Sequence, residues 1–207
     1  RMSTYLVAFA FGELQSKLTT TKSGVRVGVF ATKAHQPKEL DFALDIAKRA
    51  IEFYEDFYQT PYPLPHSWQL ALPDFSAGAM ENWGLVTYRE AYLLLDPDNT
   101  SLDMKQLVAT VITHELAHQW FGDLVTMKWW DDLWLNESFA NMMEYVAVDA
   151  IHPEWKIWNY SKLLKPQWLC NETPRTVFNQ STSMLTIRPR STPFSTRQSC
   201  TLRDRGC

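Results

Sequence analysis

Apolar residues recur every three or four positions through PKELDFALDIAKRAIEFYEDFY, residues 37–58, at Leu40, Ala43, Leu44, Ala47, Ile51 and Tyr54. That spacing lays one stripe along a helix and predicts an amphipathic α-helix here. Pro37 stands where a first helical turn tolerates it. A second helix is predicted over TSLDMKQLVATVITHELAHQWFG, residues 100–122, with Thr100 as cap, Asp103 in the first turn and Gly122 as the stop. A third is predicted over LNESFANMMEYVAVDA, residues 135–150, ending before Pro153.

Short apolar runs precede the second and third helices. TYLVAFAFG at 4–12 and GVRVGVFAT at 24–32 read as strands on either side of a polar, turn-rich connector. TPYPLPH breaks the first helix, WQLALPDF at 68–75 reads as a buried strand, and GAMENWGLVTYRE at 78–90 sets two glycines around a polar pair. Strands early and helices later give an α+β expectation, with no internal repeat.

Charge divides the chain after Trp158. Residues 1–158 hold 12 Lys and Arg against 21 Asp and Glu, whereas residues 159–207 hold 8 against 2. The second stretch also carries four prolines, many Ser and Thr, and no sustained period of 2 or 3.6. We expect it to be disordered or foreign to the fold. The overall charge of −3 and pI near 6.0 give no basic field for phosphates, which argues against nucleic-acid binding. No apolar run approaches the roughly 20 residues of a membrane span, and TYLVAFAFG has a single basic residue, Arg1, before it and no small-residue cleavage pattern of a signal peptide after it. Cys170, Cys200 and Cys207 are the only cysteines, so residues 1–158 contain no disulfide framework. A reducing, cytoplasmic compartment is expected.

The chemistry concentrates in VITHELAHQWFGDLVTMKWWDDLWLNESFANMM, residues 111–143. His114 and His118 stand four apart on a predicted helix and can present both imidazoles to one ion. Glu115 is placed to reach a metal-bound water rather than the metal. Catalytic zinc takes three protein ligands and keeps a fourth position for water. Glu137, 19 residues after His118 at the start of the next helix, is the best third ligand. Two histidines and a glutamate on an otherwise apolar helix would be costly to bury without such a partner. Asp131 and Asp132 read as solvated loop charges or helpers behind the ligands, and Glu144, farther along Glu137's helix, as a residue that could support one. His35, His66 and His152 are expected at the surface.

HELAH at 114–118, Glu137 within WLNES and GAMEN at 78–82 together resemble the M1 zinc aminopeptidases. The resemblance covers about residues 1–158. It implies a partial thermolysin-like (gluzincin) catalytic domain, with one Zn²⁺ held by His114, His118 and Glu137 and with Glu115 as general base. It further implies that Gly78, Ala79, Met80, Glu81 and Asn82 bind substrate, Glu81 pairing with the free α-amino group of a peptide. A desolvated carboxylate–ammonium pair suits that task, and an extended backbone there can add the peptide as a strand. Residues 1–10 are expected near the junction with the family's N-terminal β domain.

Two departures temper the resemblance. The family places an oxyanion-stabilising tyrosine well past the third ligand, and this chain has no tyrosine after Tyr160. Codons for the stretch after Trp158 can also be chosen so that a one-base shift yields a helical, family-like sequence, which suggests a frameshifted tail. The alternative to an active aminopeptidase is therefore a catalytically impaired zinc-binding fragment. The family's epoxide-hydrolase branch, which shares the zinc site, is a third reading.

Overall fold

The computed structural model describes residues 2–159. A five-stranded mixed sheet is built from β1 (Leu14–Thr20), β2 (Arg26–Thr32), β3 (His66–Leu72), β4 (Ala79–Met80) and β5 (Leu85–Arg89) in the order β1-β2-β3-β5-β4. β2, β3 and β5 run parallel, while β1 and β4 pair antiparallel at the two edges. The helices are α1 (Asp41–Tyr58), which carries the chain from β2 to β3, α2 (Leu102–His118) and α3 (Trp134–Ile151). This is a mixed α and β architecture in which the helix pair α2–α3 follows the sheet.

β2 is an interior strand, and Val27, Val29 and Ala31 are fully buried along it. Gly28 is required there, because a Cβ would sit 2.7 Å from both Leu18 and the Trp68 ring. α1 buries Ala43, Ile46, Ala47, Ala50, Ile51 and Tyr54, and α2 and α3 answer with Val108, Ile112, Leu116, Met143, Ala147 and Val148. The predicted stripe on α1 is thus the inner face of a three-helix contact, although Leu44 is only partly buried.

Four expectations are corrected. TYLVAFAFG is not a strand: Thr4–Leu6 form a 3₁₀ turn and the rest is irregular, with Phe9 and Phe11 exposed. The first strand forms one segment later, in LQSKLTT, where apolar residues are sparse because an edge strand needs only one covered face. Ser101 rather than Thr100 caps α2, its hydroxyl accepting from the Met104 N–H; the Thr100 hydroxyl instead donates to the Asp96 carbonyl. α2 also ends at His118, before Gly122. His35, His66 and His152 are half-buried: His35 pairs with Glu39 and Glu90, and the other two rings stack on Trp68 and Trp155. The cysteines and the tail read as disordered or frameshifted lie outside the described residues. Among the described residues no helix is long and apolar enough to cross a membrane.

Candidate metal centre

The last two turns of α2 and the first turn of α3 converge. His114 Nε2 lies 3.2 Å from His118 Nε2 and 3.1 Å from Glu137 Oε2, and His118 Nε2 lies 3.7 Å from the same oxygen. Ligands set tetrahedrally at about 2.0–2.1 Å from one ion are about 3.3 Å apart. The three separations fit that pattern, and this group could hold a metal ion.

The outer ring nitrogens are already engaged. His114 Nδ1 lies 2.8 Å from Glu144 Oε2, and His118 Nδ1 lies 3.3 Å from the Phe121 carbonyl. When each Nδ1 carries its proton toward that acceptor, both Nε2 lone pairs face the Glu137 oxygen. Three acceptors turned toward one another require a cation or a proton between them. Without metal a proton serves in part: burial would lower the His114 imidazole, but hydrogen bonds to Glu137 and Glu144 outweigh it and push it up to about 10. The same bonds to His114 and His118 hold the Glu137 carboxyl well below its ordinary value.

The contacts behind His114, His118 and Glu137 are not legible in the sequence. The buried Tyr54 hydroxyl of α1 lies 2.8 Å from the Thr113 carbonyl and 3.2 Å from the Met143 carbonyl, the residues just before His114 and Glu144. Gly122, read only as a helix stop, has φ +129°, and a Cβ on it would come within 2.5 Å of Asn136 Oδ1 and 3.1 Å of His118 Nδ1. The glycine therefore lets α3 and the second imidazole close over the same turn. Asp131 and Asp132 are exposed in the 3₁₀ turn Trp130–Asp132.

Glu115, the next residue along α2 from His114, is buried. Burial pushes its carboxyl up to about 7 against the opposing pull of His114 and His118, with Glu81 adding to the rise. Gly78–Asn82 lie along the opposite side of the sheet from β1: Ala79 and Met80 form the edge strand β4, and Glu81 and Asn82 are buried in the turn to β5. Asp123, just past α2, is pushed up to about 8 by burial and then by the charges of Glu81 and Glu115. Several carboxyl groups thus share a small region, the charge of Glu81 raising both Glu115 and Asp123. A buried amide next to HELAH, Gln119, was also missed, and its only sequence signal is a polar residue continuing an apolar helix.

The model of the peptidase family M1 domain matches residues 42–183. Aminopeptidase N of Lactobacillus helveticus is 86% identical over 158 residues, 76% of this chain and 19% of that protein. Aminopeptidase N of Lactococcus lactis subsp. cremoris (strain MG1363) is 73% identical over the same shares. Endoplasmic reticulum aminopeptidase 1 of Homo sapiens is 53% identical over 160 residues, 77% of this chain and 17% of that protein. The chain spans about a fifth of the length of the curated relatives it matches. With the family match covering more than half of the sequence and including the converged His114, His118 and Glu137, the chain belongs to peptidase family M1.

Proposed function

We propose that this chain carries the metal site of a zinc aminopeptidase with a thermolysin-like catalytic domain. The observation that carries this reading is the convergence of His114 Nε2, His118 Nε2 and Glu137 Oε2 at separations suited to one tetrahedral ion. The two-imidazole, one-carboxylate set is a zinc set used in hydrolysis, and it leaves a position open. When bound, zinc supplies Lewis acidity toward a carbonyl oxygen and lowers the pKa of a bound water to about 7.

The chain's own residues would do the rest. Glu115 takes the proton of the attacking water and returns one to the leaving amine; a buried carboxyl pushed up to about 7 is matched to that exchange near neutral pH. Glu81 holds the α-ammonium of the peptide, exchanging water for a paired charge in a buried setting. Ala79 and Met80 offer the side of β4 that has no strand partner among the described residues to the peptide backbone, leaving Gly78 and Asn82 to flank it. Glu144 keeps the His114 ring turned toward the ion.

The test pairs zinc analysis with turnover of leucine p-nitroanilide and of its N-acetyl derivative. Bound zinc with hydrolysis of the free amine alone supports the reading. Zinc binding without turnover points to an impaired zinc-binding fragment, and equal cleavage of the acetylated compound contradicts aminopeptidase specificity.

A further inference from the structure

Gln119 follows the second histidine, is fully buried, and has a partner at each hydrogen-bonding position of its carboxamide. Its Oε1 accepts from the Gly84 N–H and from the Tyr62 hydroxyl, both at 3.1 Å. Its Nε2 donates to the Glu81 carbonyl at 3.0 Å and to Asp123 Oδ2 at 2.8 Å. The orientation of the amide is determined by these partners, because a flipped amide would face the Gly84 N–H with a donor and the Glu81 carbonyl with an acceptor. Two of the four bonds go to the backbone of the 81–84 turn. The end of α2 and the segment that carries Glu81 are therefore cross-linked by one side chain. Asp123 closes the link on the helix side, since its N–H donates to the His118 carbonyl at 3.0 Å.

This cross-link spans the distance that an aminopeptidase must hold constant. In a peptide substrate the α-nitrogen and the scissile carbonyl carbon are two bonds, or about 2.5 Å, apart. The carboxylate that receives the ammonium and the ligands that face the carbonyl must keep one reach within a few tenths of an ångström. Glu81 and His114/His118 lie on different elements, so their relative position depends on what joins those elements. Resting on the reading of Glu81 as the ammonium partner, we propose that Gln119 is the positioning residue that sets this reach, so that the site accepts a free α-amine and rejects an amine one methylene farther away. Satisfied on all four positions inside the protein, the amide is held far more rigidly than one shared with water.

Three readouts on the zinc-loaded full chain test this: zinc content, calorimetric affinity for L-leucinamide against β-homoleucinamide and N-acetyl-leucinamide, and hydrogen exchange at the Gly84 amide. Gln119→Met keeps the volume and removes all four bonds. It should retain zinc, speed exchange at Gly84, and weaken leucinamide binding by about 10- to 100-fold, with the preference over β-homoleucinamide collapsing toward unity. Gln119→Glu keeps the acceptor for Gly84 and loses both donors, so it should preserve Gly84 protection and still lose the preference. Tyr62→Phe removes one bond outside the turn and should stay within about twofold of the parent. A Gln119→Met or Gln119→Glu protein that keeps zinc and the parent's preference would overturn the proposal, as would unchanged Gly84 exchange in Gln119→Met. A parent chain that binds N-acetyl-leucinamide as well as leucinamide would instead contradict the aminopeptidase reading, while the Gly84 exchange would still decide whether Gln119 is the tether.

Discussion

The α2–α3 pair and the 78–84 segment, which the proposed function brings into one site, are held by different physics. Along α2 the two imidazoles are related by helical periodicity alone, and α3 delivers Glu137 from its first turn. The backbone bonds of these helices are internal, so the spacing of the two imidazoles survives small changes elsewhere, while Glu137 reaches them through the packing of α3 on α2. The 78–84 segment has only a two-residue strand, and its turn is held by bonds from distant places: Leu6 receives the Trp83 N–H, Gln119 clamps residues 81 and 84, and the Thr87 hydroxyl donates to Asn82 Oδ1. The His114–His118 spacing is thus encoded locally, whereas the approach of Glu137 and, on the proposed reading, the geometry of substrate recognition depend on tertiary contacts. Substitutions should separate the two, with metal loss marking damage to the first and altered amine selectivity with zinc retained marking damage to the second.

The largest expected effect touches the chemistry rather than the build of either scaffold. Glu115→Gln should lower leucine p-nitroanilide turnover by about 10²- to 10⁴-fold with zinc stoichiometry unchanged; loss of zinc would show that Glu115 is a ligand rather than the base. On the helix side, Glu144→Gln weakens the support behind His114 and should reduce zinc affinity by about 10- to 100-fold in a competition titration. Gly122→Ala places a methyl group against Asn136 and the His118 ring in a backbone conformation that L side chains rarely adopt, and should cost about 1–3 kcal/mol in chemical denaturation. Unchanged stability there would mean the turn is not constrained by α3.

A pH dependence is confined to the metal side. In the metal-free chain His114 is raised to about 10 from an ordinary value of 6.5. Its pairing with Glu137 and Glu144 therefore stabilises that form fully below about pH 6.5, and the contribution is lost as pH rises through about 10. The lowered Glu137 carboxyl reflects the same interaction from the other partner and is not a second contribution. Zinc needs the deprotonated imidazole, so its apparent affinity should rise by about tenfold per pH unit between pH 7 and 9, with proton release on uptake. A flat profile would show that His114 is neutral before the metal arrives.

This division also explains what could be read from the sequence. α1 announced itself by periodicity, and His114, His118 and Glu137 stand together in the structure because two of them share one helix face and the third opens the next helix. Glu144 could be named as a possible support, but its partner could not, because pairing with His114 depends on the register of α3 against α2. Gln119, Asp123 and Tyr54 gave still less signal: each acts through bonds to backbone or side chains tens of residues away, which no local pattern records. β1 was missed for a related reason, since a half-exposed edge strand rich in Thr, Ser and Lys resembles a connector until its partner β2 is known. TYLVAFAFG misled in the opposite way, its apolar run having no sheet partner among the described residues.

The most direct test of the central claim is zinc-edge X-ray absorption on the zinc-loaded full chain, read together with metal stoichiometry. One zinc per chain, with two imidazole nitrogens and carboxylate oxygen at about 2.0–2.2 Å and no sulfur, is the result expected from His114, His118 and Glu137. A sulfur shell at about 2.3 Å, which would draw on Cys170, Cys200 or Cys207, or the absence of stoichiometric zinc, would contradict it.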